Sequence, residues 1–174
     1  SLVYADLTWR EFEPQQGEYD YESFEADKHL EEWRKQGVRV VFRFVMDVPR
    51  DEAHLDIPDW LYEETGGNGD HYVVDYGKGY SPDYSDPVLI EAHRKAILAL
   101  GKKYGQDDFI AFIQLGSLGH WGEWHVKYDG NIRRLPNQEI RDQYVAHYLE
   151  SFPDTHLLMR RTFNIAKKTQ LGLY

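Results

Sequence analysis

The chain has 174 residues, 41% of them hydrophobic and 29% charged, which is ample for a buried core and ordinary for a water-facing surface. Asp and Glu outnumber Lys and Arg 30 to 20, for a formal net charge of -10; such a surface repels phosphate backbones and anionic lipid, so neither nucleic acid nor membrane is an expected partner. No stretch reaches the roughly 18 uncharged apolar residues of a spanning helix, and the lack of cysteine excludes disulfides, thiolate zinc sites and a cysteine nucleophile.

Leu2 to Trp9 is short and alternating, and predicts a strand. Tyr19 to Gln36 predicts one helix, with Ala26, Leu30, Trp33 and Gly37 on one face and Gly37 as its stop. Val38 to Met46, rich in Val and Phe, is the clearest strand. Pro49 to Ser85 reads as a long irregular connection with scattered glycines, a feature that usually carries function or mobility. Asp86-Pro87 supplies a cap and a first-turn proline for a helix to about Tyr104, with Leu89, His93, Ala96, Ile97 and Leu100 inward. Ile110 to Leu115 is a strand. Asn137 to Ser151 is a helix with Ile140, Tyr144, Val145 and Tyr148 inward, and His156 to Phe163 is a further strand.

Strands alternating with helices predict parallel pairing and an α/β architecture. The strands near Tyr4, Val41, Phe112 and Met159 are expected as neighbours in that order. A (β/α)8 barrel takes about 250 residues, and Leu171 to Tyr174 looks like the start of one more strand. Residues 1–174 therefore read as a single domain forming part of a (β/α)8 barrel; a small complete open sheet is the alternative. Ser1 does not lead into a charged-then-apolar segment, so any targeting segment is expected outside this chain, and a secreted or periplasmic setting is left open. Strand edges left unpaired by a partial barrel are expected to promote self-association.

Strand parity sorts the side chains. Val38, Val40, Phe42, Phe44 and Met46 suit a helix layer, which leaves Val41, Arg43, Val45 and Asp47 facing the barrel interior. The same reasoning turns Asp6, Gln114 and Arg160 inward, so the interior is polar towards the C-terminal strand ends, where barrel active sites lie. A self-satisfied ion-pair network, such as Asp6 with Arg43, is the structural alternative.

The densest chemistry lies after the third predicted strand, in Gly116-Ser117-Leu118-Gly119-His120-Trp121-Gly122-Glu123-Trp124-His125. Its glycines permit tight folding. Trp121 and Trp124 are candidates to stack on a sugar face. Glu123, flanked by indoles, is a candidate general acid, with His120 and His125 placed to orient it or to bind hydroxyls. A metal reading with His120, Glu123 and His125 as ligands is the third possibility, though the spacing is not that of a zinc-protease motif. Upstream, Trp9 ends the first strand where a platform would sit, and Glu13 before Pro14 reads as a carboxylate that fixes a turn.

Leu7-Thr8-Trp9-Arg10-Glu11-Phe12-Glu13-Pro14-Gln15-Gln16-Gly17-Glu18-Tyr19-Asp20 resembles the stretch after the second barrel strand in beta-galactosidase-like glycoside hydrolases of family 42 and their clan-A relatives. Gly37 to Val41 is similar to the next strand of that barrel, and Ile57-Pro58-Asp59-Trp60-Leu61 to its proline-tryptophan-leucine loop. The Gly-rich tryptophan loop resembles an uncharacterised bacterial glycosidase-like group still more closely. The resemblance implies that the visible strands are the second to fifth of the barrel, with the sixth beginning at Leu171. It also implies a carbohydrate ligand, no cofactor and no metal, with Glu123 as acid/base. Trp9, Arg43, Asp47, Gln114, His120, Trp121, Trp124 and Arg160 would then contact substrate. The clan's Asn-Glu at the end of the fourth strand is replaced by Gln114-Leu115-Gly116-Ser117, so Glu123 serves only if the loop returns it to the same place. Retaining hydrolysis needs a second carboxyl about 5–5.5 Å away, expected beyond this chain. A non-catalytic carbohydrate-binding barrel is the alternative.

Overall fold

The computed structural model describes residues 1–160 and 172–173. Its main sheet runs β1 (Leu2–Thr8), β2 (Arg39–Val45), β5 (Ile110–Ser117), β6 (Leu157–Met159) and β7 (Gly172–Leu173) in that spatial order. All neighbours pair in parallel, with Tyr4 opposite Val41, Val41 opposite Phe112, and Gln114 opposite Leu158. This is part of a (β/α) barrel wall, in the expected strand order. The rest of the predicted last strand, Arg161 to Phe163, and Leu171 and Tyr174 lie outside the described residues.

One face of the sheet carries the core. Ala5, Leu7, Val40, Phe42, Phe44, Met46, Ile113, Leu115, Leu157 and Met159 pack against Leu89, His93, Ala96, Ile97 and Leu100 of α5 (Pro87–Tyr104) and Tyr144, Val145 and Tyr148 of α6 (Gln138–Ser151). Both helices start where capping predicts. Asp86 accepts from the Val88 amide with Pro87 at the first helical position, and Asn137 accepts from the Ile140 amide. The short α1 (Trp9–Phe12) starts on a capping box in which Thr8 and Glu11 satisfy each other's backbone. Trp9 thus opens a helix instead of ending the strand.

Two expectations are corrected. The single helix from Tyr19 to Gln36 is two, α2 (Tyr21–Asp27) and α3 (Leu30–Lys35), parted at His29 with φ 53°. The buried residues are Phe24 and Leu30, while Ala26 is exposed. Six positions apart, Phe24 and Leu30 would point about 120° apart on an unbroken helix. The left-handed residue re-aims the second helix so that both reach the core.

The stretch from Pro49 to Ser85 is not irregular. It holds α4 (Asp59–Glu64) and an antiparallel hairpin of β3 (Gly69–Val74) and β4 (Gly77–Pro82), turned at Asp75-Tyr76. Two of its glycines mark close packing: a Cβ at Gly79 would lie 2.5 Å from the Tyr72 hydroxyl, and one at Gly69 2.4 Å from that of Tyr80.

Candidate functional site

The other face of the sheet is polar at its C-terminal end. Asp6 and Arg43 stand opposite each other in register and form a two-pronged pair, Nε to Oδ1 at 2.9 Å and Nη2 to Oδ2 at 2.8 Å. Gln114, the next register partner of Arg43, is buried.

The loop after β5 folds back over these strands. It enters through Gly116, where a Cβ would sit 2.2 Å from the Phe44 carbonyl oxygen, so no larger residue fits. Ser117, Trp121 and Trp124 all take left-handed φ values of 71°, 55° and 59°. Non-glycine residues adopt this conformation only where the surroundings over-determine it. Here hydrogen bonds do so. The Trp121 amide donates to the Asp47 carbonyl at 2.7 Å, the Trp124 amide to that of Leu118 at 2.9 Å, and the Gly119 amide to the Tyr84 hydroxyl at 3.0 Å.

The fold of the loop brings Glu123 to the sheet. Its Oε2 lies 3.0 Å from Arg160 Nη1 and 3.3 Å from His125 Nε2, and its Oε1 lies 3.7 Å from Arg43 Nη1. Arg43, Arg160, His125 and Glu123 therefore converge, with Asp6 behind Arg43. The indole surround expected for Glu123 is replaced by guanidinium and imidazole groups. Trp124 turns away, buried in the core with Nε1 donating to the Leu115 carbonyl at 2.9 Å. Trp9 is also fully buried, between Phe44 and His93 on the helix side. Neither offers a face to a ligand in this structure, which corrects both as platforms; the strand that Trp9 was expected to end stops one residue earlier, at the Thr8 cap.

Asp47 and His120 form a buried support. Asp47 accepts from His120 Nδ1 at 2.9 Å and from the Tyr72 hydroxyl, and burial pushes its carboxyl up despite both partners. The other His120 nitrogen, Nε2, accepts from the Lys127 amide at 3.1 Å. With both ring nitrogens engaged and the ring fully buried, His120 is unavailable as a ligand. That removes the metal set of His120, Glu123 and His125; among the described residues no group of three His, Asp or Glu side chains is placed to hold a metal ion. Asp47 likewise supports the loop from beneath and does not line the open face.

Trp121 remains half-buried next to His125, which bonds Glu123, and the hairpin turn adds an aromatic neighbour that sequence reasoning missed. Tyr76 is 47% exposed. Its ring lies 5.6 Å from that of Trp121 and 6.5 Å from that of His125. Lys127 bonds Asp75 at 2.6 Å and sits over the Tyr76 ring, holding the turn against the loop. Alternation at Tyr72 and Val74 was the available signal for this hairpin.

No protein-family model matches the sequence, and no curated protein matches it. Solved structures do match in fold. An endo-glycoceramidase II from Rhodococcus sp., as its lactosyl-enzyme intermediate, superposes with a TM-score of 0.59 at 15% identity over 91% of this chain and 40% of its own. A GH5_18 protein from Bifidobacterium longum subsp. infantis gives 0.58 at 13% identity, covering 91% and 34%. A psychrophilic family 10 endo-beta-1,4-xylanase gives 0.54 at 19% identity, covering 91% and 44%. This chain thus spans less than half the length of each of these structures, and over that span it shares their (β/α)-barrel fold.

Proposed function

We propose that this chain is the carbohydrate-acting part of a glycoside-hydrolase-type barrel, with the site at the C-terminal end of its parallel sheet. The observation that carries the reading is the return of Glu123 to the strand ends, against Arg43 and Arg160, with its partner His125 next to the Trp121–Tyr76 pair. A carboxyl group, two guanidinium groups and an aromatic face are the parts that a sugar ring requires: acceptor and donors for its hydroxyls, and a flat apolar surface for its C–H face. Glu123 is the candidate acid/base. Family 42 membership and a galactoside substrate belong to the resemblance in the Trp9–Asp20 stretch.

A second reading, binding without catalysis, is favoured by the cationic neighbours of Glu123. Its two carboxyl oxygens already face Arg43 and Arg160 as acceptors, an arrangement suited to holding a ligand. Hydrolysis of aryl β-glycosides by the complete barrel that carries this chain and the second carboxyl, and by its Glu123→Gln variant, separates the two. Acid/base catalysis predicts that the substitution lowers turnover by at least about 100-fold. Sugar binding with no turnover in either protein supports the second reading. Turnover unchanged by Glu123→Gln contradicts the role given to this residue.

A further inference from the structure

A cavity of about 480 Å³ opens between the segment after α1, helix α4 and the N-terminal half of α5. Its size is that of small-molecule sites, which run from about 300 to 1,000 Å³. Trp60, Tyr19 and Val88 form its walls, and it shares no residue with the Glu123 cluster. Trp60 is held in place by its Nε1, which donates to the Glu13 carbonyl at 3.0 Å.

Glu13 also lines this cavity. It is only 2% exposed, and its Oε1 is buried without a hydrogen bond. The adjoining turn is closed by backbone bonds: Glu13 N to Trp9 O, Glu18 N to Gln15 O, and Asp20 N to Phe12 O. The Gly17 backbone and the Tyr19 hydroxyl of this turn also act on the Glu13 carboxyl, in keeping with the expected role in fixing the turn, while Oε1 is left over. Burial pushes its carboxyl up to about 7, even though the Trp9 indole, the Gly17 backbone, the Lys95 charge and the Tyr19 hydroxyl all pull it down. An acceptor left unpaired in such a place is costly, and a ligand that supplies a donor recovers the cost.

We propose that this cavity is a second binding site, for an uncharged polyhydroxylated ring, with Glu13 accepting from a ligand hydroxyl and Trp60 and Tyr19 walling its C–H face. The charges select that class. Glu13, Glu64 and Glu91 outnumber Lys95 around the cavity and disfavour an anion. A cation is disfavoured because Glu91 is already paired with Arg94 and Lys95 and the positive end of the α5 dipole lies at the cavity. A neutral ring with hydroxyl edges and an apolar face meets every group present. This site goes beyond the function proposed for Glu123 and does not depend on it.

Amide shift mapping by NMR on the whole chain tests the proposal, with cellobiose and lactose as probes. The expected result is saturable shifts at Gly17, Trp60, Glu91 and Lys95. Glu13→Gln should weaken them at least tenfold, and Val88→Arg, on an exposed rim position of α5, should abolish them by filling the mouth. Glu123→Gln should leave them unchanged. Shifts at this patch with none near Trp121 and Glu123 would support the cavity and contradict the function proposed above. Shifts confined to the Glu123 region, or cavity shifts indifferent to both Glu13→Gln and Val88→Arg, would overturn the second site.

Discussion

Glu123 and His93 show how far the folded surroundings of a polar side chain depart from its neighbours in sequence. Glu123, set between tryptophans in sequence, ends among cations because Trp124 turns inward and Arg160 reaches across from the end of β6. His93, on the apolar face of α5, is fully buried and bonds His147 Nδ1 at 2.8 Å and Ser117 Oγ at 2.7 Å. Two facing ring nitrogens can share only one proton, and burial disfavours any added charge. His93 is accordingly pushed well down, chiefly by burial, and His147 is pushed down to about 4 by burial and by Arg94. The unfolded chain takes up protons at about pH 6.5, before the folded one does. The stability these histidines contribute is therefore complete above that pH and falls as pH drops towards 4. Thermal melts between about pH 7 and pH 4.5 should show a loss on the order of 2 kcal/mol, and His147→Asn should flatten the slope. A melt insensitive to pH over this window, in both proteins, would contradict the buried neutral pair.

The hairpin of β3 and β4 matters to the site as an element. Its Tyr72 reaches Asp47, which holds His120, and its turn supplies Tyr76 to the aromatic face. Tyr72→Phe leaves a buried carboxyl oxygen without its donor and should cost about 2 kcal/mol, or roughly 4–8 °C in Tm for a chain of this size. Unchanged melting would mean that the hairpin is not anchored through Asp47. The helices and main strands were legible from the sequence because period and caps agree there: Asp86-Pro87 and Asn137 begin their helices, and Val40, Phe42, Phe44 and Met46 share one face as alternation requires. The hairpin was not, because Gly69, Gly77 and Gly79 read as loop when they are sites of close approach to Tyr80, Arg50 and Tyr72. Nor could local pattern show that Trp9 and Trp124 are core residues, since an indole that packs and an indole that binds look alike until the partner elements are in place. The convergence of Arg43, Arg160 and Glu123 was foreshadowed by strand parity, but their contacts depend on a loop whose left-handed tryptophans no propensity predicts.

Across the whole molecule, the sheet ends on one side at β1, which among the described residues pairs only with β2. Leu2 and Tyr4 on that strand are 55% and 65% exposed. An unpaired strand edge with exposed apolar side chains is a template for another chain. Sedimentation equilibrium should give a mass above 20.6 kDa that rises with concentration, and Leu2→Lys with Tyr4→Lys should lower it. A monomer at every concentration would show that the edge is quiet.

If the polar C-terminal end of this sheet receives a sugar, a crystal structure of the chain soaked with lactose will show it. The expected result is a sugar ring lying on Trp121 and Tyr76, with a hydroxyl within hydrogen-bond distance of Glu123 and of Arg43 or Arg160. A structure in which that end of the sheet takes up no sugar, while Glu123 keeps both guanidinium partners, would contradict the carbohydrate site.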